Sequence, residues 1–467
     1  MMNLRDLAVR GGASLVVRQG LGIFVSTVGL ILLTRTLGPE AYGLWAATFG
    51  IYSYISGLSR WGVDVYLIRR KEEPQPQDYN QAFSLLLLAG LGSAGLAILA
   101  LPFLEHWVRL EGFAPIAITV FAGLPLPLLG LVPLARLERA LDYRKIALIE
   151  LSGQIAIYIV ALPLAYQGLG PWSPVAGVWA SQLLTLGLLY RISGYRPRLH
   201  WESTRVRSVL AYGVGFSASE GLWNLANLVN PLIVGRYVGA EAVGQVALAA
   251  RLVEYVGSMI ALPAARLAIP VFARIQEDRA RLLKVLDRGI NLQVMALGPL
   301  LAIVGLGSPW VLPLLLGPGW LPVLDVYPFI ALSYLVGTAF GLHSSILFVM
   351  QHLWGVAAFR LVNLIVFAGT ALLLVPHLGI EGYGWAEVLH LPSWILLLAW
   401  FQIYVGRPIS AKAGVWLSGW AIPLFSWQLG SLVWISAVVP LIWAETRREL
   451  TQAIRLARIL LKKPNRP

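Results

Sequence analysis

The sequence predicts an all-α protein that crosses a membrane many times, and three observations lead to this. Of its 467 residues, 58% are hydrophobic and only 13% are charged, whereas a soluble domain carries about 25% charged residues. The apolar residues come in runs of roughly 20, the length that spans a bilayer. A short pattern also occurs twice, each time between two such runs. Because lipid offers the backbone no hydrogen-bond partners, spanning runs of this kind form helices.

The apolar runs place about fourteen helices along the chain. We predict twelve of full length, at roughly 13–34, 42–60, 82–104, 113–134, 147–166, 173–192, 209–234, 242–265, 290–316, 326–349, 358–378 and 383–404. The apolar residues at 414–443 are too many for one upright helix and too few for two. We therefore expect two short helices there, hinged near Pro423–Gly430.

The repeated pattern is Arg-x-x-Gly-x-Glu-Ala-x-Gly, found at 35–43 and again at 236–244, 201 positions later. Six predicted helices separate the copies, so the two halves are parallel repeats related by a pseudo-twofold axis. Parallel repeats are typical of transporters that work by alternating access. We predict an N-terminal lobe at 1–200, a C-terminal lobe at 201–404, a short helix pair at 405–445 and a basic amphipathic tail at 446–467. The repeated turn itself is interpreted as scaffold.

The basic residues predict the orientation of the chain. If the N-terminus is cytoplasmic, 31 of the 36 Lys and Arg lie on that side and three on the other, namely Arg35, Arg109 and Arg236. The positive-inside rule therefore predicts that both termini are cytoplasmic, and we expect the chain in a bacterial or archaeal plasma membrane. The net charge of +13 then reflects topology and anionic lipid, and no nucleic-acid partner is expected.

Several kinds of chemistry are not expected. The chain has no cysteine and no G-x-x-x-x-G-K-[ST] phosphate loop, and no predicted loop is long enough to hold a catalytic domain. We expect no cofactor, no metal site and no enzyme activity. Energy would have to come from an ion gradient, the membrane potential or a partner.

Charged residues inside the predicted helices are the candidates for function, because charges are costly in hydrocarbon. Arg18 lies in the first helix, where it either faces a cavity or reaches back to the interface. Arg251 and Glu254 lie near the middle of the eighth, three positions apart, and form either an anion site or a structural ion pair. Glu220 in the seventh helix falls one position after the repeat equivalent of Arg18, which suggests a latch between the lobes.

A second group of charged residues has weaker support. Arg60 is placed to pair with Asp64, and Arg360 lies on the eleventh helix. Glu387 and His390 share one face of the twelfth helix, where they either relay protons or make a packing hydrogen bond.

Four stretches of the sequence resemble a known family. These are LTRTLGPEAYGLW at 33–45, RALDYRKIALIE at 139–150, LAYGVGF at 210–216 and GRYVGAEA at 235–242. They are similar to polysaccharide flippases, the Wzx-like group of the multidrug/oligosaccharidyl-lipid/polysaccharide (MOP) exporter superfamily. The resemblance covers most of 10–400, and the short last helix pair departs from the usual fourteen full helices.

The resemblance implies two six-helix lobes that open alternately inward and outward. It implies movement of a polyprenyl-pyrophosphate-linked oligosaccharide to the outer leaflet, for cell-surface polysaccharide synthesis. Guanidinium binds phosphate with two hydrogen bonds, so the substrate-binding candidates are Arg18, Arg251, Arg60 and Arg360. The coupling or gating candidates are Glu220, Glu254, Glu387 and His390. The partners implied are the lipid-linked glycan, membrane lipids, H⁺ or Na⁺, and a polysaccharide polymerase or ligase. The alternative is an ion-coupled multidrug exporter, or another lipid exporter of the superfamily, with acidic cavity residues.

Overall fold

The computed structural model of the protein describes residues 4–69, 72–203, 224–261, 271–406 and 411–443, with a few isolated positions besides. Throughout these ranges the chain forms helices and turns and no strand. The described α-helices of five or more residues are α1 (Leu4–Ser59), α2 (Val63–Arg69), α3 (Pro76–Leu99), α4 (Leu101–Val108), α5 (Phe113–Ala122), α6 (Pro125–Leu129), α7 (Leu131–Arg139), α8 (Tyr143–Tyr166), α9 (Trp172–Ser193), α10 (Ala240–Ser258), α11 (Arg279–Leu315), α12 (Val323–Val349), α13 (Leu353–Leu378), α14 (Ile380–Leu389), α15 (Trp394–Tyr404) and α16 (Ala411–Ala421).

Eight stretches of the described chain are long and apolar enough to cross a membrane. They are Pro76–Leu99, Phe113–Arg139, Tyr143–Tyr166, Trp172–Ser193, Arg279–Leu315, Val323–Val349, Trp354–Leu378 and Ile380–Tyr404. Each coincides with a predicted spanning helix, so the predicted all-α, multi-pass membrane class is confirmed. Contacts divide the chain into two compact units, Met1–Gly244 with Leu315–Gly319, and Gln245–Leu314 with Trp320–Pro467.

The first two predicted helices form one kinked element, α1. Gly38 has φ 74° and ψ 171°, outside the helical region, and Pro39 follows it. Positive φ is accessible to glycine without strain, and proline cannot donate the hydrogen bond that would continue the helix. The break therefore falls inside the first copy of the repeated pattern.

The ninth predicted helix begins earlier than its apolar run. α11 starts at Arg279, where we expected a loop up to residue 290. The Asp278 carboxylate accepts a hydrogen bond of 3.0 Å from the Arg281 amide, as a helix-capping residue does. Leu282 and Leu286, one turn apart, are fully buried and hold this basic segment helical. At 1.5 Å per residue, α11 is about 55 Å long and extends well beyond a hydrocarbon core of about 30 Å.

The two copies of the repeated turn pack against each other at their glycines. A Cβ atom on Gly43 would lie 1.7 Å from the carbonyl oxygen of Ala240, and one on Gly244 would lie 2.3 Å from that of Pro39. Residues 39 and 240 are themselves equivalent under the 201-residue offset. The contact is thus reciprocal, and it requires glycine at both positions because no side chain fits.

The arginines of the two copies make a second reciprocal contact. Arg236 donates a 2.8 Å hydrogen bond to the carbonyl of Trp107, near the end of α4, and its guanidinium stacks 4.2 Å from that indole. Arg35 donates a longer bond of 3.4 Å to the carbonyl of Leu315, the last residue of α11. Each arginine therefore binds the carboxyl end of a helix belonging to the other repeat, where the helix dipole favours a cation. The structure thus supports the interpretation of the turns as scaffold.

The C-terminal segment forms the predicted short hairpin. α16 ends at Ala421, the chain turns at Pro423–Phe425, and Gly430 breaks it again with φ 85°. The two short limbs touch, since Ser436 donates a 3.3 Å hydrogen bond to the Gly419 carbonyl. Trp420 and Trp434 also meet edge to face at 6.1 Å. The chain thus turns within Pro423–Gly430, where the sequence predicts a hinge.

Candidate functional site

One of the predicted charged pairs lies on α10. Arg251 and Glu254, three positions apart, join through a 3.0 Å contact between guanidinium and carboxylate. Their side chains remain 52% and 56% exposed. Arg251 is eleven residues into the helix, about 16 Å along its axis. A pair of charges so far along a membrane helix is stable where it meets water or a polar ligand, because hydrocarbon would penalise it.

A second cluster surrounds His390, at the end of α14. The helix stops there because a short turn, Leu391–Ser393, introduces Pro392. Asn363 of α13 donates its side-chain amide to Nδ1 of His390 at 3.0 Å and to the Ser393 hydroxyl at 2.8 Å. Nε2 faces the Glu387 carboxylate at 3.4 Å and the Ser333 hydroxyl at 3.2 Å.

These hydrogen bonds assign the neutral tautomer of His390. A nitrogen that accepts the Asn363 amide cannot carry a proton itself, so the proton of a neutral imidazole lies on Nε2. Nε2 is the nitrogen that faces Glu387. The imidazole and the carboxylate are only 9% and 14% exposed. The Nε2–H group of a neutral imidazole thus points toward the Glu387 carboxylate.

Tyr383 connects the buried cluster with the α10 pair. Its hydroxyl hydrogen-bonds Glu387 one helix turn away, and the Glu254 carboxylate acts electrostatically on the same phenol. Glu254 also acts on Tyr334 of α12. Gly257 brings α10 close to that ring, since a Cβ there would lie 2.3 Å from it. Arg251, Glu254, Tyr383, Glu387 and His390 therefore form one polar region within a single compact unit.

Two of the remaining predicted residues have described contacts of their own. Arg60 pairs with Asp64 at 2.5 Å, as the sequence suggested, and is 45% exposed. Arg360 places its guanidinium 5.6 Å from the ring of Phe348. Arg18 belongs to α1, but its side chain, like the whole of Glu220, lies outside the described residues. The substrate-binding role of Arg18, Arg60 and Arg360 and the gating role of Glu220 stay predictions.

Sequence reasoning missed the residues that link the candidates. Ser333, Asn363, Tyr383 and Ser393 all hydrogen-bond within the cluster. Each is a polar residue inside or beside an apolar spanning stretch, and such residues usually face the interior of a membrane protein. Of these four residues, Asn363, three positions from Arg360, was the easiest to recognise in the sequence as a polar residue within a spanning stretch.

Comparison with known proteins identifies the family. A sequence model of the polysaccharide biosynthesis protein family matches residues 32–325. The chain belongs to this family. It is 25% identical over 304 residues to the succinoglycan biosynthesis transport protein ExoT of Rhizobium meliloti, which covers 65% of this chain and 61% of that protein. It is 22% identical over 346 residues to the lipopolysaccharide biosynthesis protein WzxC of Escherichia coli, covering 73% and 70% of the two chains. The chain thus aligns with less than two thirds of ExoT.

Two solved structures of other proteins have the same fold as this member of the polysaccharide biosynthesis protein family. The lipid II flippase MurJ, in an inward closed conformation, aligns over 97% of this chain and all of its own with a TM-score of 0.72 at 12% identity. An inward-facing multidrug transporter of the MATE family and MOP superfamily aligns over 84% of this chain and 98% of its own, with a TM-score of 0.64 and 16% identity. The expected resemblance to the MOP superfamily is confirmed at the level of fold.

Proposed function

We propose that this protein is a flippase that carries a polyprenyl-pyrophosphate-linked oligosaccharide from the inner to the outer leaflet by alternating access. In this proposal it serves cell-surface polysaccharide synthesis in a bacterial or archaeal plasma membrane, with both termini in the cytoplasm. The lobes at 1–200 and 201–404 would alternate around a central path, followed by the helix pair at 405–445 and the tail at 446–467. Its role is transport, as the names of ExoT and MurJ state for those proteins, and not catalysis.

The exposed Arg251 on α10 is the observation that carries this proposal. A pyrophosphate cannot cross hydrocarbon without cations beside it, and arginine remains charged at any depth. Arg251 is half exposed and paired with Glu254 at 3.0 Å, so a ligand can approach its guanidinium. Thirty of the 36 basic residues are arginine, the residue suited to bidentate phosphate contacts. Arg18, Arg60 and Arg360 are proposed to continue the path.

The Glu387–His390 cluster is proposed to couple transport to protons. A buried carboxylate beside an imidazole can gain or lose a proton as its exposure to water changes. Tyr383 connects that change to Glu254 and hence to Arg251. Protonation of Glu387 would weaken its hold on Tyr383, and the Arg251–Glu254 pair would respond through the shared phenol. Glu220 remains a proposed gate on the seventh predicted helix.

The proposal is tested in a strain that lacks the gene. We expect the deletion to accumulate lipid-linked glycan in the inner leaflet, identified by mass, and the wild-type gene to clear it. Arg251→Gln should reduce clearance at least tenfold, because a charge-assisted hydrogen bond contributes about 1.5–3 kcal/mol. Arg281→Gln, which removes an exposed arginine from α11, is the matched control. A deletion strain without accumulated lipid would refute the proposal.

A second candidate function is the export of cationic drugs coupled to ions. The buried carboxylate of Glu387 favours it, because a cationic substrate pairs with carboxylates. The two functions respond oppositely to substitution. Loss of drug efflux in Glu254→Gln and Glu387→Gln, with Arg251→Gln unaffected, would favour the drug exporter over the flippase.

A further inference from the structure

A basic pocket lies beside the first residues of α3. Its volume is about 950 Å³. It is bounded by the residues leading into α3, the end of α7 and the extended segment after α9, with Glu73, Gln75, Tyr79, Arg136, Arg139, Tyr195, Arg196 and Arg198 among its lining residues. Four arginines face a single glutamate, so the pocket carries a net positive charge. All of these residues belong to one compact unit.

The four arginines of the pocket differ in the contacts that they make within the protein. Arg139 makes structural hydrogen bonds, because its guanidinium donates to the carbonyls of Leu67, Ile68 and Glu72 at 3.0–3.2 Å. Arg136 lies against two aromatic rings, 5.5 Å from Tyr79 and 5.7 Å from Tyr195. Stacking fixes the plane of a guanidinium and leaves its edge available for hydrogen bonds. Arg196 and Arg198 are exposed.

The segment that carries two of these arginines is fixed along α3. The Tyr195 hydroxyl bonds to the Tyr79 carbonyl at 3.2 Å and to the Asn80 side chain at 3.0 Å. Further along, the His200 amide donates to the Ser84 hydroxyl at 2.9 Å. Arg196 and Arg198 therefore project from an anchored backbone, and a ligand pays little entropy to order them.

The position of the pocket indicates a ligand at the membrane surface. Three spanning stretches begin or end there, at Pro76, Arg139 and Ser193, on the side where the charge distribution predicts cytoplasm. Leu199 and Trp201, on the same anchored segment, are 76% and 53% exposed. Tryptophan and apolar residues beside arginine are typical of the interface between headgroups and hydrocarbon.

We propose that this pocket binds the phosphate of an anionic membrane phospholipid. Arg136, Arg196 and Arg198 would contact the phosphate oxygens, and α3, whose first residues border the pocket, adds its positive dipole end. The apolar Leu199 and Trp201 would lie along the upper part of the acyl chains. Bound lipid would hold the segment that leads out of the first six predicted helices. A soluble phosphate compound offers the same chemistry from the aqueous side.

The test uses the purified full-length chain in a neutral detergent, titrated with short-chain phosphatidylglycerol and followed by thermal unfolding. We expect phosphatidylglycerol to stabilise the protein and phosphatidylcholine to do so much less. The double variant Arg196→Gln/Arg198→Gln should raise the half-saturating concentration of phosphatidylglycerol about thirtyfold. Each arginine near a membrane surface contributes about a factor of five to the affinity for anionic lipid. The matched control is Arg144→Gln/Arg191→Gln, which removes two exposed arginines that do not line the pocket.

Equal weakening in both double variants would overturn the site, because the effect would then be general charge. Stabilisation by inorganic pyrophosphate as strong as that by phosphatidylglycerol would overturn the assignment to lipid in favour of a soluble phosphate. If the double variant does not fold, Arg196→Gln and Arg198→Gln are measured singly against Arg144→Gln, with about a fivefold effect expected of each. This result is independent of whether the protein flips glycan lipids.

Discussion

The packing of the two repeated turns gives a sharp prediction for Gly43. A Cβ at this position would lie 1.7 Å from the Ala240 carbonyl oxygen and 2.8 Å from the Gly244 amide nitrogen. Ordinary contact is roughly 3.5 Å, so Gly43→Ala must push two backbones apart by nearly 2 Å. Overpacking of a well-packed site costs typically 1–3 kcal/mol. Since both neighbours are backbone atoms that cannot rotate away, we expect a loss of about 3 kcal/mol or more.

The measurement is thermal or denaturant unfolding of the purified protein, with Gly57→Ala as the matched control. Gly57 lies on the same helix and has no atom within 4 Å of its added Cβ. Alanine there should stabilise by about 0.5–1 kcal/mol, because glycine weakens a helix interior. The stability of Gly244→Ala should lie between those of Gly43→Ala and Gly57→Ala, since the added Cβ would lie 2.3 Å from its closest neighbour. If Gly43→Ala proves as stable as Gly57→Ala, the contact between the repeats is not as close as the structure indicates.

Three further substitutions test contacts described above. Arg236→Gln removes both the hydrogen bond to Trp107 and the stacking on its ring; it should lower the free energy of unfolding by about 1–3 kcal/mol, with Arg144→Gln unchanged. Burial raises the pKa of Tyr195 well above its usual value, so the folded state binds this proton more tightly and loses stability as the pH rises above about 10. Tyr195→Phe should show a shallower alkaline loss in unfolding measurements, together with a lower stability at pH 7 by about 1 kcal/mol; an identical alkaline slope would contradict this. Glu387→Gln keeps a hydrogen-bonding group but removes the carboxylate that faces His390, so transport should fall at least tenfold in a flipping assay. Glu381→Gln, exposed at the start of the same helix, should transport normally, and normal transport by Glu387→Gln would rule out its coupling role.

The spanning helices were predictable because their signal is local. Runs of about 20 apolar residues and the spacing of arginines at their ends require no knowledge of the fold. The hairpin at 411–443 was also predictable, since Pro423 and Gly430 interrupt an apolar run of unsuitable length. The early start of α11 was not predictable from the sequence. Its first turns are basic, and helix formation there depends on burial of Leu282 and Leu286, which a hydropathy pattern does not show.

The candidate site was predictable in its charges but not in its connections. Arg251 with Glu254 and Glu387 with His390 follow from spacing along one helix, and the structure shows both contacts. Tyr383, which joins the two pairs, and Asn363, which sets the tautomer of His390, contribute through tertiary packing. The basic pocket was hidden for the same reason. Arg136 and Arg196 are 60 positions apart, and only the docking of the extended segment on α3 brings them to one cavity.

The reciprocal contacts of the repeated turns have a consequence for assembly. Gly43 meets residue 240 while Gly244 meets residue 39, and each repeat arginine binds a helix end in the other repeat. This exchange, in which i meets j and j meets i, defines an interface between two identical subunits related by a twofold axis. The covalent chain thus makes, between its two copies of the repeated turn, the kind of exchange that a homodimer makes between its subunits.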